Sequence, residues 1–181
     1  SSIRRCRAGS RREAPLVVVE HESVHLEAAA AVLLEVAKVV TRLLAVDPGT
    51  NVTGWASFVD ARLVECGCWR ADGLYEMLSK LLLVRENEKF ASERTAVERP
   101  QVYSQRKWRG DPNDLVGVAL VAGAGAALFP PVDFVLPHTW KGSAPKDVVA
   151  ERVRGALSEE ELRRLPPKMR HDVWDAVGLG L

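Results

Sequence analysis

The chain has 181 residues, 47% of them hydrophobic, which is enough to bury one full core and leave material for an extension. Lysine and arginine total 25 against 24 acids, a formal charge of +1, so a polyanionic partner would have to be met by local patches rather than by an overall basic surface. No apolar run of about eighteen residues free of charges and breakers occurs, so no membrane span is predicted. Cys6, Cys66 and Cys68 are an odd set without metal-ligand spacing, and the latter two alternate on a predicted strand as small buried thiols, which fits a reducing compartment.

Residues 1–40 differ in kind from the rest. SSIRRCRAGSRREAP is rich in Arg and Ser without an apolar face, and HLEAAAAVLLEVAKVV reads as a short Ala-rich helix, so this part is taken as an N-terminal appendage to a domain spanning 41–181. Within it, His21-Glu22-Ser23-Val24-His25 formally matches the HExxH pattern, whose two histidines share a helical face around Zn²⁺. Glu20 and Glu27 put charges where such a helix packs into a core, and no third ligand stands at a familiar spacing, so a zinc peptidase is the lesser alternative.

From Thr41 onward the elements succeed one another in a readable order. TRLLAVD is a continuous apolar run ending at Asp47, PGTN is a turn, and TGWASFV and RLVECGCW are two strands joined through Asp60 and Ala61. LYEMLSKLLLVRENEKF has Leu74, Met77, Leu78, Leu81 and Leu82 at helical spacing. RTAVE is a strand that delivers Glu98, and Pro100 keeps the residues after it out of a central ladder. DLVGVALVAGAGAALF is a helix rich in Ala and Gly, VDFVLP is a fifth strand, and the tail has two helical stretches, KDVVAERVRGAL and HDVWDAVGLGL, separated by PPKMR. Three strands and then alternating helix and strand predict an α/β domain with a mixed sheet.

The chemistry lies in the acids. Asp47 and Glu98 each end an apolar strand, and Asp172 and Asp175, three apart on a helix, share a face. Carboxylates gathered on a sheet are costly to ionise together unless cations neutralise them, and oxygen donors are what Mg²⁺ and Mn²⁺ prefer. Asp47 placed centrally would bridge two ions roughly 3.5–4 Å apart, with Glu98 and the helix pair on either side. The competing explanation for Asp172 is a helix cap at a positive dipole end. His171 beside it is a candidate ligand or proton carrier, although neighbouring helical residues point about 100° apart.

Two basic loops are candidates for DNA contact. RPQVYSQRKWRGDPN combines Arg99, Arg106, Lys107 and Arg109 with Tyr103 and Trp108, cations and rings that can hold phosphates and stack on an unpaired base. WKGSAPK supplies Lys141 and Lys146, and the DPGTN turn places Thr50 and Asn51 near a DNA backbone.

Four blocks, VDPGTNVTGWA, VERPQVY with its trailing basic loop, WKGSAPKDVVAERV and HDVWDAVGLGL, occur in the order in which the RuvC-like Holliday junction resolvases of the ribonuclease H-like superfamily carry theirs. From about Thr41 to its end the chain resembles that family, in particular its phage-genome form. The resemblance implies a ribonuclease H-like, five-stranded mixed sheet flanked by helices. It also implies Mg²⁺- or Mn²⁺-dependent hydrolysis of branched DNA by two metal ions, and a homodimer working in the cytoplasm of a bacterial or phage-infected cell. Its catalytic acids match Asp47, Glu98, Asp172 and Asp175, and its phosphate-contacting lysine matches Lys146. Gly117, Ala119, Gly123, Gly125 and Ala127 would allow their helix to approach either the sheet or a partner helix closely. A non-catalytic branched-DNA-binding module on the same fold is the remaining alternative.

Overall fold

A computed structural model describes residues 41–102 and 111–181. The apolar run ending at Asp47 is strand β1 (Arg42–Asp47), and β2 (Val52–Val59) and β3 (Arg62–Arg70) continue it as an antiparallel meander. Helix α1 (Leu74–Arg85) then leads through a short 3₁₀ turn to β4 (Arg94–Glu98), which pairs parallel to β1. Helix α2 (Pro112–Leu128) carries the chain to β5 (Val132–Val135), parallel to β4. A one-turn helix, α3 (Pro137–Trp140), precedes α4 (Lys146–Ala156), α5 (Glu159–Arg163) and α6 (His171–Gly180). The sheet order is β3-β2-β1-β4-β5, the five-stranded mixed sheet expected from the order of elements.

Alternation along the strands divides the core into two layers, because successive side chains leave opposite faces of a sheet. Leu44, Val46 and Val97 pack with Trp55, Trp69 and Phe90 under Met77 and Leu81 of α1 and Val121 of α2. On the other face Ala45, Ala56 and Phe58 meet Val149 and Val153 of α4 and Val173, Trp174 and Val177 of α6. The first layer is rich in rings: Trp55 meets Phe90 edge-on at 5.0 Å between centroids, and Trp69 meets it at 5.3 Å. Such pairs add about 0.5–1.5 kcal/mol beyond the area they bury.

Helix α5 was not among the elements expected from the sequence. Ser158 and Glu161 form a capping box at its start, the Ser-x-x-Glu signature written in SEEE, so the signal was present in the chain. Its side chains also serve the sheet edge. The Leu63 N–H of β3 donates to Glu161 Oε1 at 2.7 Å, and the Leu63 carbonyl accepts from Arg164 at 2.8 Å. An edge strand left with free peptide groups invites pairing with other chains, and these contacts occupy them. Hydrogen bonds, first from the Ser158 hydroxyl, hold the Glu161 carboxyl below its ordinary pKa.

The β2–β3 hairpin turns through Asp60 and Ala61, at φ 51° and 60°. Two consecutive left-handed residues make the tight connection whose twist matches the strands, and Asp60 ties it to the residue before β1 by donating from its N–H to the Thr41 carbonyl at 2.9 Å. Ala61 has no side-chain means of easing that conformation. Ala61→Gly should therefore raise stability by about 1 kcal/mol in urea denaturation, and a loss of stability would show that the turn carries no strain.

Candidate active site

The parity that puts Val46 and Val97 in the α1/α2 layer sends Asp47 and Glu98 to the other face, where α6 lies. Val46 pairs with Val97 in the parallel β1–β4 ladder, so the two acids sit side by side at the ends of adjacent strands. A mixed sheet offers its crevice at that end of parallel strands.

Gly54 brings α6 to them. It is the ladder partner of Asp47 on β2, and a Cβ there would lie 2.0 Å from the Asp172 carbonyl oxygen. The first turn of α6 thus rests backbone to backbone on β2, and one turn later Asp175 arrives beside the strand-end acids. Asp47, Glu98 and Asp175 each offer an oxygen within 4.8 Å of the others. Gly49 closes the preceding turn: its N–H donates to Thr53 Oγ1 at 3.1 Å, its carbonyl accepts from that hydroxyl at 2.8 Å, and a Cβ there would run into the Val52 carbonyl at 2.2 Å.

A lysine sits among the acids. Lys141 Nζ lies 2.7 Å from Glu98 Oε2, 3.0 Å from Glu98 Oε1 and 2.6 Å from Asp175 Oδ2, with all three side chains less than one-fifth exposed. Trp140 Nε1 donates to Glu98 Oε2 at 3.1 Å and fixes that carboxylate from a second side. Burial, and then the charges of Glu98 and Asp175, push the Asp47 carboxyl well above its ordinary pKa against the pull of Lys141. Burial raises Glu98 as well, with the Lys141 hydrogen bond opposing. For Lys141 burial alone would lower the pKa, but its hydrogen bonds to Asp175 and Glu98 and their charges together outweigh it, so the ammonium persists above the usual range.

The residues singled out from sequence therefore divide. Asp47, Glu98 and Asp175 come together. Asp172 does not join their group: its carboxylate lies 2.8 Å from His171 Nε2 and 3.3 Å from Arg170 Nε, although its charge still reaches Asp47. His171 is likewise engaged with Asp172 rather than with the three clustered acids. Lys146, matched to the phosphate-contacting lysine, is the first residue of α4 and lines a cavity of about 830 Å³ with Gln101, His138, Lys141, Ser143 and Asp175. Lys141, expected only as a DNA contact, is the lysine the fold seats in the acid cluster. The Trp140 bond to Glu98 went unread, because the sequence Trp-Lys shows a charge and a ring without showing which way either turns.

Thr50 and Asn51 occupy the surface turn after β1, the Thr50 hydroxyl donating to Asn51 Oδ1 at 3.1 Å. Tyr103, Arg106, Lys107, Trp108 and Arg109 lie outside the described residues, as do His21, Glu22 and His25. Among the described residues no helix is long and apolar enough to cross a membrane.

No family model matches the chain, and no curated protein matches it. Solved structures do. Thermus thermophilus RuvC in complex with a Holliday junction substrate is 22% identical at a TM-score of 0.55, over 77% of this chain and 90% of that one. The fold is that of the RuvC-type resolvases. A second T. thermophilus RuvC structure matches at 22% identity and a TM-score of 0.50, covering 77% and 91% of the two chains. The yeast mitochondrial Holliday junction resolvase Ydc2 matches at 16% identity and a TM-score of 0.52, covering 78% and 76%.

The raised pKa of Asp47 has a consequence for stability. The folded state keeps this proton to a higher pH than the unfolded chain, so the group's contribution is present below about pH 4 and is lost as pH rises through the raised value. Asp47→Asn removes that loss. In chelator the variant should equal the wild type near about pH 4 and exceed it at pH 8 by about 1 kcal/mol, the usual gain from relieving a strained functional site. Equal stability at both pH values would show that the carboxyl is not under strain.

Proposed function

We propose that this chain is a divalent-metal-dependent endodeoxyribonuclease that resolves branched DNA, Holliday junctions foremost. The observation that carries the reading is the convergence of Asp47, Glu98 and Asp175 with Lys141, beside a cavity that Lys146 also lines, on a RuvC-type fold. The donor set is all carboxylate, which suits Mg²⁺ or Mn²⁺ and not a thiophilic ion. Asp47, Glu98 and Asp175 would hold the ion, and Asp172, one turn earlier on α6, is the further carboxylate for a second. Bound there, Mg²⁺ supplies Lewis-acid polarisation of the scissile phosphate.

The chain's own groups then have distinct tasks in a hydrolysis. A water oxygen attacks phosphorus, the bond from phosphorus to the 3′-oxygen breaks, the water's proton passes through the carboxylates to solvent, and the leaving oxygen takes one back. Lys146 stabilises the charge that grows on the phosphoryl oxygens. Trp140 holds Glu98 in place throughout. Arg99, Arg106, Lys107 and Arg109 bind phosphate, and Tyr103, or Trp108 in its place, stacks on a base opened at the branch, worth about 1–3 kcal/mol.

Two symmetrical cuts across a junction call for two copies, and α2 offers a face for pairing. Its outward residues Val116, Ala119, Leu120, Gly123 and Ala127 are exposed and wholly apolar, Val116 and Leu120 by more than half. We assign this face to a homodimer contact. We assign the protein's action to the cytoplasm of a bacterial or phage-infected cell, the compartment that the family resemblance implies.

Synthetic four-way junctions and linear duplexes, each with Mg²⁺ or with chelator, test the reading. The protein should cut the junction only with Mg²⁺, and Asp47→Asn should lower the rate by at least about a hundredfold while junction binding persists. Junction binding without cutting, in Mg²⁺ and in Mn²⁺, would instead identify a non-catalytic binding module. In the same assay Arg106→Ala and Lys107→Ala should weaken binding and flatten its salt dependence. Leu120→Glu should sediment as a monomer and lose paired cuts, and an unaltered sedimentation coefficient would contradict the assigned dimer face.

A further inference from the structure

We propose that Lys141 is an exchangeable counter-ion: in the metal-free protein its ammonium occupies the place a divalent ion takes between Glu98 and Asp175, and metal entry releases it into the adjoining cavity. This rests on the reading of the cluster as a metal site, and goes beyond it by giving the metal-free state its own resident cation.

The geometry is one of mutual exclusion. Lys141 Nζ stands 2.6–3.0 Å from three carboxylate oxygens on two of the three residues whose oxygens converge. Mg²⁺ binds such oxygens at about 2.0–2.1 Å. An ion on the same oxygens would fall inside the van der Waals shell of the ammonium and meet its charge directly. One of the two must leave.

The surroundings allow the lysine to be the one that leaves. Its Nζ lies 4.9 Å from the Trp140 ring centroid, and the next residue, Gly142, sits at φ 63°, so the segment turns away immediately after it. Lys141 and Lys146 both line the 830 Å³ cavity that opens beside Asp175. A four-carbon stem can swing the ammonium into that space without moving α3 or α4. Glu98 keeps its orientation meanwhile, because the Trp140 Nε1 bond is independent of the lysine. The exchange would thus exert two effects at once: it empties the ion's place and adds a second ammonium to the cavity where a phosphate would lie.

Apparent metal affinity is then reduced by the work of displacing the lysine, as for any ligand whose competent state is only fractionally populated. Lys141→Met keeps the stem and removes the charge. By titration calorimetry with Mn²⁺, Lys141→Met should bind at least about tenfold more tightly than the wild type, and Mn²⁺ should raise its melting temperature by more. Binding no tighter than wild type would overturn the exchange. Asp47→Asn is the control: if it leaves Mn²⁺ binding unchanged, the metal reading itself fails and the exchange falls with it.

A second measurement needs no variant. Amine labelling of Lys141 in the wild-type protein, read by peptide mass spectrometry, should rise several-fold when Mn²⁺ is added, with the exposed Lys168, outside the cavity, as the internal reference. Constant labelling of Lys141 across a saturating Mn²⁺ titration would overturn the proposal even if Lys141→Met did not fold.

Discussion

Three carboxylates with oxygens within 4.8 Å of one another, at the end of a sheet and largely out of water, repel one another unless a cation stands among them. In this protein the cation is Lys141, bonded to two of the three, and the third, Asp47, is raised well above its ordinary pKa because it is buried and the charge around it remains negative in balance. That arrangement costs stability. Taking these charges out of water carries a penalty on the order of several kcal/mol per ion, which their mutual attraction offsets only in part. A fold that assembles this cluster at the meeting point of β1, β4 and α6 concentrates electrostatic strain where a divalent ion can relieve it.

The rest of the structure serves to hold that strain in place. Alternation along β1 and β4 aims both strand-end acids at one face, while Val46 and Val97 anchor the same strands in the opposite layer. Gly54 lets the α6 backbone touch β2 across from Asp47, and Val173, Trp174 and Val177 lock the helix against the sheet with α4. Asp175 cannot retreat without lifting that packed face. The aromatic layer beneath, Trp55, Trp69 and Phe90, supplies stability on the side away from the acids.

Much of this is legible in the chain itself. An apolar run ending in a charge signals a strand that delivers a carboxylate to a sheet edge, and Asp47 and Glu98 both read that way. The Asp172–Asp175 spacing shows a shared helical face, but not that the first turn rests on Gly54 with the Asp172 carboxylate turned to Arg170 and His171, so that Asp175 is the one whose oxygen joins the strand acids. The lysines are harder. Lys141 and Lys146 are five residues apart in one loop, and which of them enters the cluster depends on a one-turn helix and the left-handed Gly142, which no periodicity encodes. The fold lets both lysines face the same cavity, with Lys141 on the acids.

Crystals grown with Mn²⁺ and measured near its absorption edge would show most directly whether Asp47, Glu98 and Asp175 form a divalent-cation site whose resident ammonium yields to the ion. An anomalous peak should appear bounded by these three carboxylates, with the Lys141 side chain turned into the cavity beside Lys146. A map with no peak there at saturating Mn²⁺, and Lys141 still bonded to Glu98 and Asp175, would mean that the lysine is a permanent structural counter-ion and the cluster no metal site.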